Sequence, residues 1–428
     1  MSRIIFCLCL ISPLVVPGLK AQNTFDYYLE SAKRNSPLIA DNKNQSKANQ
    51  LEDERLKAQY TKTQLSITAN YLFAPIINRD NGNSKLEVNS NGAEKYSGYD
   101  LAYSNGGQYQ ALINLTQPLF NTQRFQAFAE QSLVASQVNE NNAKLSEHDV
   151  QKAVGDQYIL CLLDKQQWQF TDSLIQVLLE QQSILKKLTQ NGLMKQSDLS
   201  LLTIELKAQQ NFRINFFTTY KRDLLDLNVL SGIPDTTFVL LPDISFEINP
   251  DTLMSRFMMK YGLDSLNLVA QRKVFELKYR PFINAYANTG LNAVYAPTIL
   301  NRFGMSAGVS LTWNIFDGHQ REINEQKTEA LLSSVSSYKN YFNVQNSVRK
   351  KRILNEISGL DQRLTILQQQ LTEYNTLMNF YKKELSLGQL PVINYINVLK
   401  TQIAAKRDYL LLQTNKQLLI NLYNYWNW

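Results

Sequence analysis

The sequence predicts a mainly helical fold that also contains a few β-strands of membrane-spanning length, arranged as two copies of one unit. Three observations indicate this fold class. Two stretches of about 70 residues lack proline and have helical periodicity, and four short segments alternate between apolar and polar side chains. In addition, landmarks of the first half recur in the second half at a constant offset.

The internal repeat is visible at two pairs of landmarks. The segment 115–121 (LTQPLFN) matches the segment 311–317 (LTWNIFD) at an offset of 196 residues. Gly192 and Gly388 are separated by the same 196 residues. Landmarks that keep their spacing indicate a duplication, which divides the chain into a first repeat, a linker and a second repeat. Their predicted bounds are 22–234, 235–250 and 251–428.

The two proline-free stretches, 120–192 and 316–388, predict two long helices. The second contains apolar residues at alternating steps of four and three, which is the spacing of a coiled-coil seam. At ~1.5 Å per residue such a helix reaches ~105 Å, too long for a compact globular domain. The seam residues are Ile353, Ile357, Leu360, Leu364, Leu367, Leu371, Tyr374, Met378, Tyr381 and Leu385.

Four shorter helices are predicted, and in pairs they approximately match the length of the long ones. We therefore expect two short helices to stack end to end against each long helix, because a seam of that length needs a neighbour to bury it. The four predicted segments are 24–62, 197–230, 251–279 and 392–425.

Four segments with period-two alternation predict strands. The clearest has Met305, Val309 and Leu311 on one face, continues to Trp313 and Ile315, and places small polar residues between them. The other three alternate in the same way at 65–73, 108–116 and 283–288. The edge of a soluble β-sandwich is an alternative interpretation. Two features favour a membrane barrel: each segment has about the 9 to 11 residues of a membrane-spanning strand, and its second face is small and polar, as an aqueous lumen requires.

Four strands cannot close a barrel, since the smallest membrane barrels have about 8. The chain is therefore expected to oligomerise. A dimer would supply 8 strands and little lumen, whereas a trimer would supply 12. The connection 74–107, rich in Asn, Gly, Ser and Tyr, is suited to a surface loop at the outer mouth, and its counterpart 292–303 is shorter.

The first residues predict a secretory signal peptide, 1–21, with Arg3, an apolar run at 4–16 and Ala21 before the cleavage site. Its removal also takes Lys20 and lowers the formal charge from +7 to +5. That small excess, without a dense basic stripe, argues against nucleic-acid binding. No other apolar run is long enough for a membrane helix, and the one remaining cysteine, Cys161, excludes an internal disulfide framework.

The chain resembles the TolC-like outer-membrane factor family over residues 24–427. The most specific local motif is 192–199 (GLMKQSDL), which is similar to the helix-turn-helix tip of that family. Gly192 is suited to end one helix, and Ser197 or Asp198 to cap the next. These residues also fit a simple turn without a partner.

The resemblance implies a homotrimer in the outer membrane of a Gram-negative bacterium, extending into the periplasm. Each chain would give four strands to a 12-stranded β-barrel that continues into an α-helical coiled-coil barrel, the periplasmic tunnel. The tips would dock a periplasmic adaptor, which connects the duct to an inner-membrane transporter in a tripartite efflux pump or a type I secretion system. The implied docking residues are Gly192, Leu193, Ser197, Asp198, Gly388 and Pro391.

The second tip, 388–397, departs from the family pattern at the tunnel entrance. Asn394 and Asn397 stand where some members carry aspartates that form an acidic ring. Leu390 stands where some members carry an arginine that helps to close the entrance. The resemblance therefore implies an entrance at these three positions without its usual charges.

No pattern in the sequence indicates catalysis. His148 and His319 have no Cys or carboxylate cluster at metal-ligand spacing, and no phosphate-binding loop or nucleophile elbow is present. We expect a passive export channel that is not an enzyme and uses no metal or cofactor. The alternative is a secreted periplasmic coiled-coil scaffold that never enters a membrane. A diffusion porin conflicts with four strands and such long helices.

Overall fold

The computed structural model describes residues 23–89, 92–252 and 255–428. The predicted signal peptide, 1–21, lies outside them. The chain divides into two compact units. Within the described residues, the helical unit comprises 23–41, 142–257 and 341–428, and the sheet unit comprises 42–141 and 258–340.

Seven α-helices are present in the described residues, and the two longest are uninterrupted, as predicted. They have 69 and 67 residues. None of the helices in this part of the chain has a stretch that is both long enough and apolar enough to cross a bilayer. The helices are α1 (Phe25–Asn35), α2 (Pro37–Thr61), α3 (Thr122–Gln190), α4 (Gln196–Ser231), α5 (Met258–Glu276), α6 (Gln320–Ser386) and α7 (Val392–Trp426).

The first short helix is broken, which the prediction of one helix over 24–62 missed. α1 ends at Asn35, Ser36 is extended (φ −67°, ψ 116°), and α2 begins at Pro37. Proline lacks the N–H that an uninterrupted helix would use and pushes the preceding residue out of helical geometry. It is well tolerated as the first residue of a new helix.

The coiled-coil seam of α6 is the apolar face that the sequence predicted. Ile353, Ile357, Leu371, Met378 and Leu385 are buried, and the other five seam residues are half-buried. Towards the C-terminal end of α6 the seam packs into an apolar cluster formed with α3, α4 and α7. Burial of these side chains holds the helical unit together.

The predicted linker, 235–250, has no regular secondary structure, but it is packed against helices. Leu241 is only 1% exposed. Its carbonyl accepts a hydrogen bond from Lys165 Nζ (2.7 Å), and its N–H donates to the hydroxyl of Tyr220 (3.0 Å). Tyr158 donates to the carbonyl of Pro242 (2.9 Å). Side chains of α3 and α4 thus replace the ladder bonds that this backbone lacks.

The sheet unit contains one four-stranded antiparallel sheet, in the order β1-β5-β6-β7. All four predicted strand segments belong to it. Leu65 pairs with Leu115, Leu115 with Ala287, and Ala287 with Ala307, so the apolar positions lie on one face. The four strands are β1 (Gln64–Ala74), β5 (Gly106–Leu119), β6 (Phe282–Ala293) and β7 (Phe303–Thr312).

β7 ends earlier than predicted. The alternation continues to Trp313 and Ile315, but the ladder stops at the pair Phe282 and Thr312, where β6 begins. Residues beyond Thr312 therefore have no strand to pair with. Trp313 instead donates its indole N–H to the carbonyl of Tyr279 (3.1 Å).

The connection 74–107, expected to be a loop, contains a small sheet of its own. Its strands are β2 (Ile76–Asn78), β3 (Lys85–Glu87) and β4 (Tyr96–Ser97), in the order β3-β2-β4. Asp80 accepts hydrogen bonds from the backbone N–H groups of Glu94 (3.1 Å) and Lys95 (2.9 Å). The equivalent connection after β6 contains the 3₁₀-helix Ala296–Asn301.

Candidate functional sites at the helix tips and on the sheet

The first tip is a tight turn between α3 and α4, in the helical unit. Leu193 donates to the carbonyl of Leu188 (2.9 Å) and Gly192 to that of Thr189 (3.1 Å). This pair of bonds is a Schellman motif, which needs a left-handed residue directly after the helix. Gly192 supplies it with φ +71°. The sequence-based assignment of Gly192 as the end of the helix is therefore confirmed.

The start of α4 carries the other predicted tip residues. Asp198 is the third residue of the helix, and its carboxylate accepts the backbone N–H of Lys195 (3.4 Å). An acid in the first turn also interacts favourably with the helix dipole. Ser197 is exposed, and Leu193 is exposed to 63% although its neighbour Met194 packs on the core. This tip thus presents an unburied apolar side chain at a rigid turn.

The second tip repeats the construction of the first. Gln389 donates to the carbonyl of Glu384 (2.9 Å) and Gly388 to that of Leu385 (3.0 Å), with Gly388 at φ +73°. Pro391 is exposed and directly precedes α7, where its carbonyl accepts the N–H of Asn394 (3.0 Å). The two turns, 196 residues apart, use the same hydrogen bonds.

The three predicted entrance residues have different surroundings. Asn394 and Asn397 are exposed, and their i, i+3 spacing places them on one side of α7. Leu390 is only 8% exposed and belongs to the apolar cluster of the tip, with Val392 and Tyr395. Any effect of Leu390 on the entrance would therefore act through packing.

The four-stranded sheet has one apolar and one polar face, and its apolar face is uncovered. Met305 is exposed to 84% and Ile67 to 77%, and Leu65, Val309 and Leu311 are also exposed. Neither face has a charge, since the sequences of β1, β5, β6 and β7 contain no Asp, Glu, Lys, Arg or His. The polar face consists mainly of Asn, Gln, Ser, Thr and Gly.

Two arginines are in contact at the end of this sheet where β5 leads into α3, which we call the helix-proximal end. Arg124, in α3, donates through Nη2 to the carbonyl of Arg280 (2.6 Å), and its guanidinium lies 4.9 Å from the ring centre of Phe282. Arg280 donates to the side chain of Gln123. Burial lowers the pKa of Arg124, with an opposing effect from Tyr60 and a further lowering by the charge of Arg280.

Sequence reasoning missed this arginine pair. It depends on a contact between residues 156 positions apart, and neither residue lies in a recognisable motif. The available signal was weaker: both arginines lie within eight residues of a predicted strand end, at the same end of the sheet.

The two histidines and the buried cysteine lie in different surroundings. His148 stacks between the rings of Tyr425 (4.8 Å) and Trp428 (4.3 Å), and burial lowers its pKa. His319 is exposed, with Nδ1 3.7 Å from Glu322. Cys161 is buried. Within the ranges that the structure describes, no three His, Cys, Asp or Glu side chains are placed to hold a metal ion.

No protein-family model matches the sequence, and no curated protein sequence matches it significantly. Solved structures do match. The outer membrane protein VceC of Vibrio cholerae is 14% identical, with a TM-score of 0.69, 94% of this chain covered and 96% of that chain. The CmeC outer membrane channel of Campylobacter jejuni is 11% identical, with a TM-score of 0.68 and coverages of 94% and 85%.

The open state of the MtrE outer membrane channel of Neisseria gonorrhoeae is 12% identical, with a TM-score of 0.67 and coverages of 95% and 89%. These likenesses extend over nearly the whole of each chain at very low identity, so they concern the fold. The helices, the two tips and the four-stranded sheet together give this chain the TolC-like fold of outer-membrane channel proteins.

Proposed function

We propose that this chain is one protomer of a homotrimeric export channel in the outer membrane of a Gram-negative bacterium. The observation that carries the proposal is the sheet: four strands of membrane-spanning length, with one exposed apolar face and one uncharged polar face. Lipid can cover the first face, and water can fill the space beside the second.

The edges of the sheet support the trimer. β1 and β7 are the outer strands in the order β1-β5-β6-β7. Edge backbone groups need partners inside a bilayer, where no water is available to satisfy them. Pairing β7 of one copy with β1 of the next satisfies both edges. Three copies give 12 strands and an open lumen, whereas two copies give 8 and almost none.

The two tips are the proposed docking site for a periplasmic adaptor. Leu193 and Ser197 are exposed beside the rigid turn at Gly192, and Pro391 is exposed beside the turn at Gly388. Rigid turns with an exposed apolar side chain suit a partner helix, because little conformational entropy is lost on binding.

Export through such a channel is passive. The sequence contains no phosphate-binding loop, so energy would come from an inner-membrane transporter attached through the adaptor. The assembly would be a tripartite efflux pump or a type I secretion system.

Detergent extraction tests the proposal. We expect the protein to be released from the membrane fraction only by detergent, with a native mass of three mature chains, and to conduct ions in planar bilayers. A monomer or dimer released by salt alone, without conductance, would contradict the channel and support the periplasmic scaffold.

A further inference from the structure

We propose that Arg124 and Arg280 form an anion-binding band at the helix-proximal end of the polar face of the sheet, and that this band makes the channel favour anionic cargo. The proposal rests on the proposed function, because it requires the polar face to line an aqueous lumen. It assigns a chemical class to the cargo: solutes with carboxylate, phosphate or sulfate groups.

The strand register places Arg124 on the polar side. Phe282 pairs with Thr312, and both lie on the face of Asn284 and Ser310, opposite Ile283 and Leu311. The guanidinium of Arg124 stacks on the ring of Phe282, 4.9 Å from its centre. Its charge therefore lies at the base of the face that we expect to be wet.

In the part of the chain that the structure describes, neither Arg124 nor Arg280 forms an ion pair with a carboxylate. Arg280 lies near Glu130, Glu276 and Glu325, but each of these carboxylates is paired with another cation. The neighbouring cations are paired: Lys273 with Glu130 (2.6 Å) and Arg321 with Glu276 (2.7 Å), in a cavity of about 710 Å³ that Arg280 also lines. Two adjacent guanidinium groups repel each other, and a bound anion would relieve that repulsion.

The geometry suits an oxyanion. Arg124 is held by its contacts with the Phe282 ring and the Arg280 carbonyl, so part of the entropic cost of fixing its side chain is already met within the protein. A guanidinium presents several N–H donors in one plane, and this arrangement matches carboxylate and phosphate oxygens. Arg280 is exposed and can reach the same solvent space.

Charge around the sheet is distributed unequally between its ends. The flanks at the helix-proximal end contain eight Lys and Arg against three Asp and Glu, a net charge of +5. The flanks at the opposite end contain four of each, a net charge of zero. The segments counted are 57–63, 120–126, 272–281 and 313–322 at the first end, and 75–105 and 294–302 at the second.

The strands between these ends are uncharged, so no acidic ring on the sheet offsets the arginine band. A charge beside a water-filled path changes the local concentration of each permeant ion, and the effect is strongest at low ionic strength. In a trimer the band would contain six guanidinium groups, two from each chain.

The test is ion selectivity of the purified trimer in planar bilayers, measured as the reversal potential in a potassium chloride gradient near 10 mM, where the Debye length is about 30 Å. We expect the parent channel to favour chloride. Arg124→Gln and Arg280→Gln should each lower the chloride to potassium permeability ratio by about twofold, and together by more. Arg124→Lys keeps the charge and should keep the ratio.

Arg302→Gln is the matched control, since it removes the same charge from an exposed position at the opposite end of the sheet. It should change the ratio less than either band variant. Inorganic phosphate should reduce the conductance of the parent more than that of the double variant. Conducting trimers with equal selectivity in the parent and both band variants would overturn the anion band. Absence of any conductance would instead contradict the proposed channel.

Discussion

Replacing Gly192 tests whether the first tip docks a partner, because Gly192 contributes a backbone conformation to the turn and has no packing contact that a larger side chain would disturb. A Cβ added at Gly192 would meet nothing within 4 Å, so substitution causes no clash. The cost arises only from φ +71°, which L-residues adopt at about 1–2 kcal/mol, more for β-branched ones. Gly192→Val should therefore loosen the turn and leave the trimer intact.

The effect of Gly192→Val on the opening equilibrium of the turn has an expected magnitude. A cost of about 1–2 kcal/mol shifts the opening equilibrium of the turn by roughly 5- to 30-fold. Hydrogen exchange at the amides of Gly192 and Leu193, the two donors of the Schellman motif, should accelerate by about that factor. Gly192→Asn should exchange at an intermediate rate, because asparagine tolerates the left-handed region better than valine.

The functional measurement is export, scored as drug resistance or secretion, beside the native mass of the complex. Gly359→Ala in α6 is the matched control: its added Cβ also meets nothing within 4 Å, and alanine favours the helix by about 0.5–1 kcal/mol. Export should fall with Gly192→Val and not with Gly359→Ala. Normal export by Gly192→Val, with its turn shown to be open, would refute the docking role.

Three further predictions concern the helical unit. Trivalent cations should block the parent channel weakly from the periplasmic side, and Asn394→Asp with Asn397→Asp should create block; an unchanged cation response would remove these residues from the entrance. Burial next to Asp223 raises the pKa of Asp164 from 3.8 to about 7, so the folded state binds more protons than the unfolded state between these values and stability falls as pH rises through them. Asp164→Asn should flatten that dependence and stabilise the protein by on the order of 1–3 kcal/mol at pH 8 in denaturant titrations. Burial also raises the pKa of Cys161, so maleimide should label it only after unfolding; rapid labelling of the native trimer would contradict its burial.

Elements with a sustained period were predictable from the sequence. α3 and α6 follow from long stretches without proline, and the seam of α6 follows from regular steps of three and four. The strands of the main sheet follow from alternation over about ten residues. Gly192 and Gly388 were identifiable as helix ends because their type and position agree with one turn geometry.

Features that depend on tertiary contacts were not predictable in the same way. β2, β3 and β4 have two or three residues each, too few to show a period. The sequence of the linker shows only turn formers and short apolar runs, although its backbone is held by hydrogen bonds from Tyr158, Lys165 and Tyr220. The break before Pro37 was within reach of sequence reasoning, since proline at that position favours a new helix start.

The absence of charge in the four strands has a consequence for the protomer before assembly. Soluble sheets protect their edges with lysine, proline or inward-pointing charges, which prevent strands of different molecules from pairing. β1 and β7 contain no charged residue and no proline, and their apolar face is uncovered in a single chain. An unassembled protomer is therefore prone to aggregate through these edges. If the chain assembles in the outer membrane as proposed, we expect each protomer to depend on chaperone protection until the bilayer and its partner copies cover the sheet.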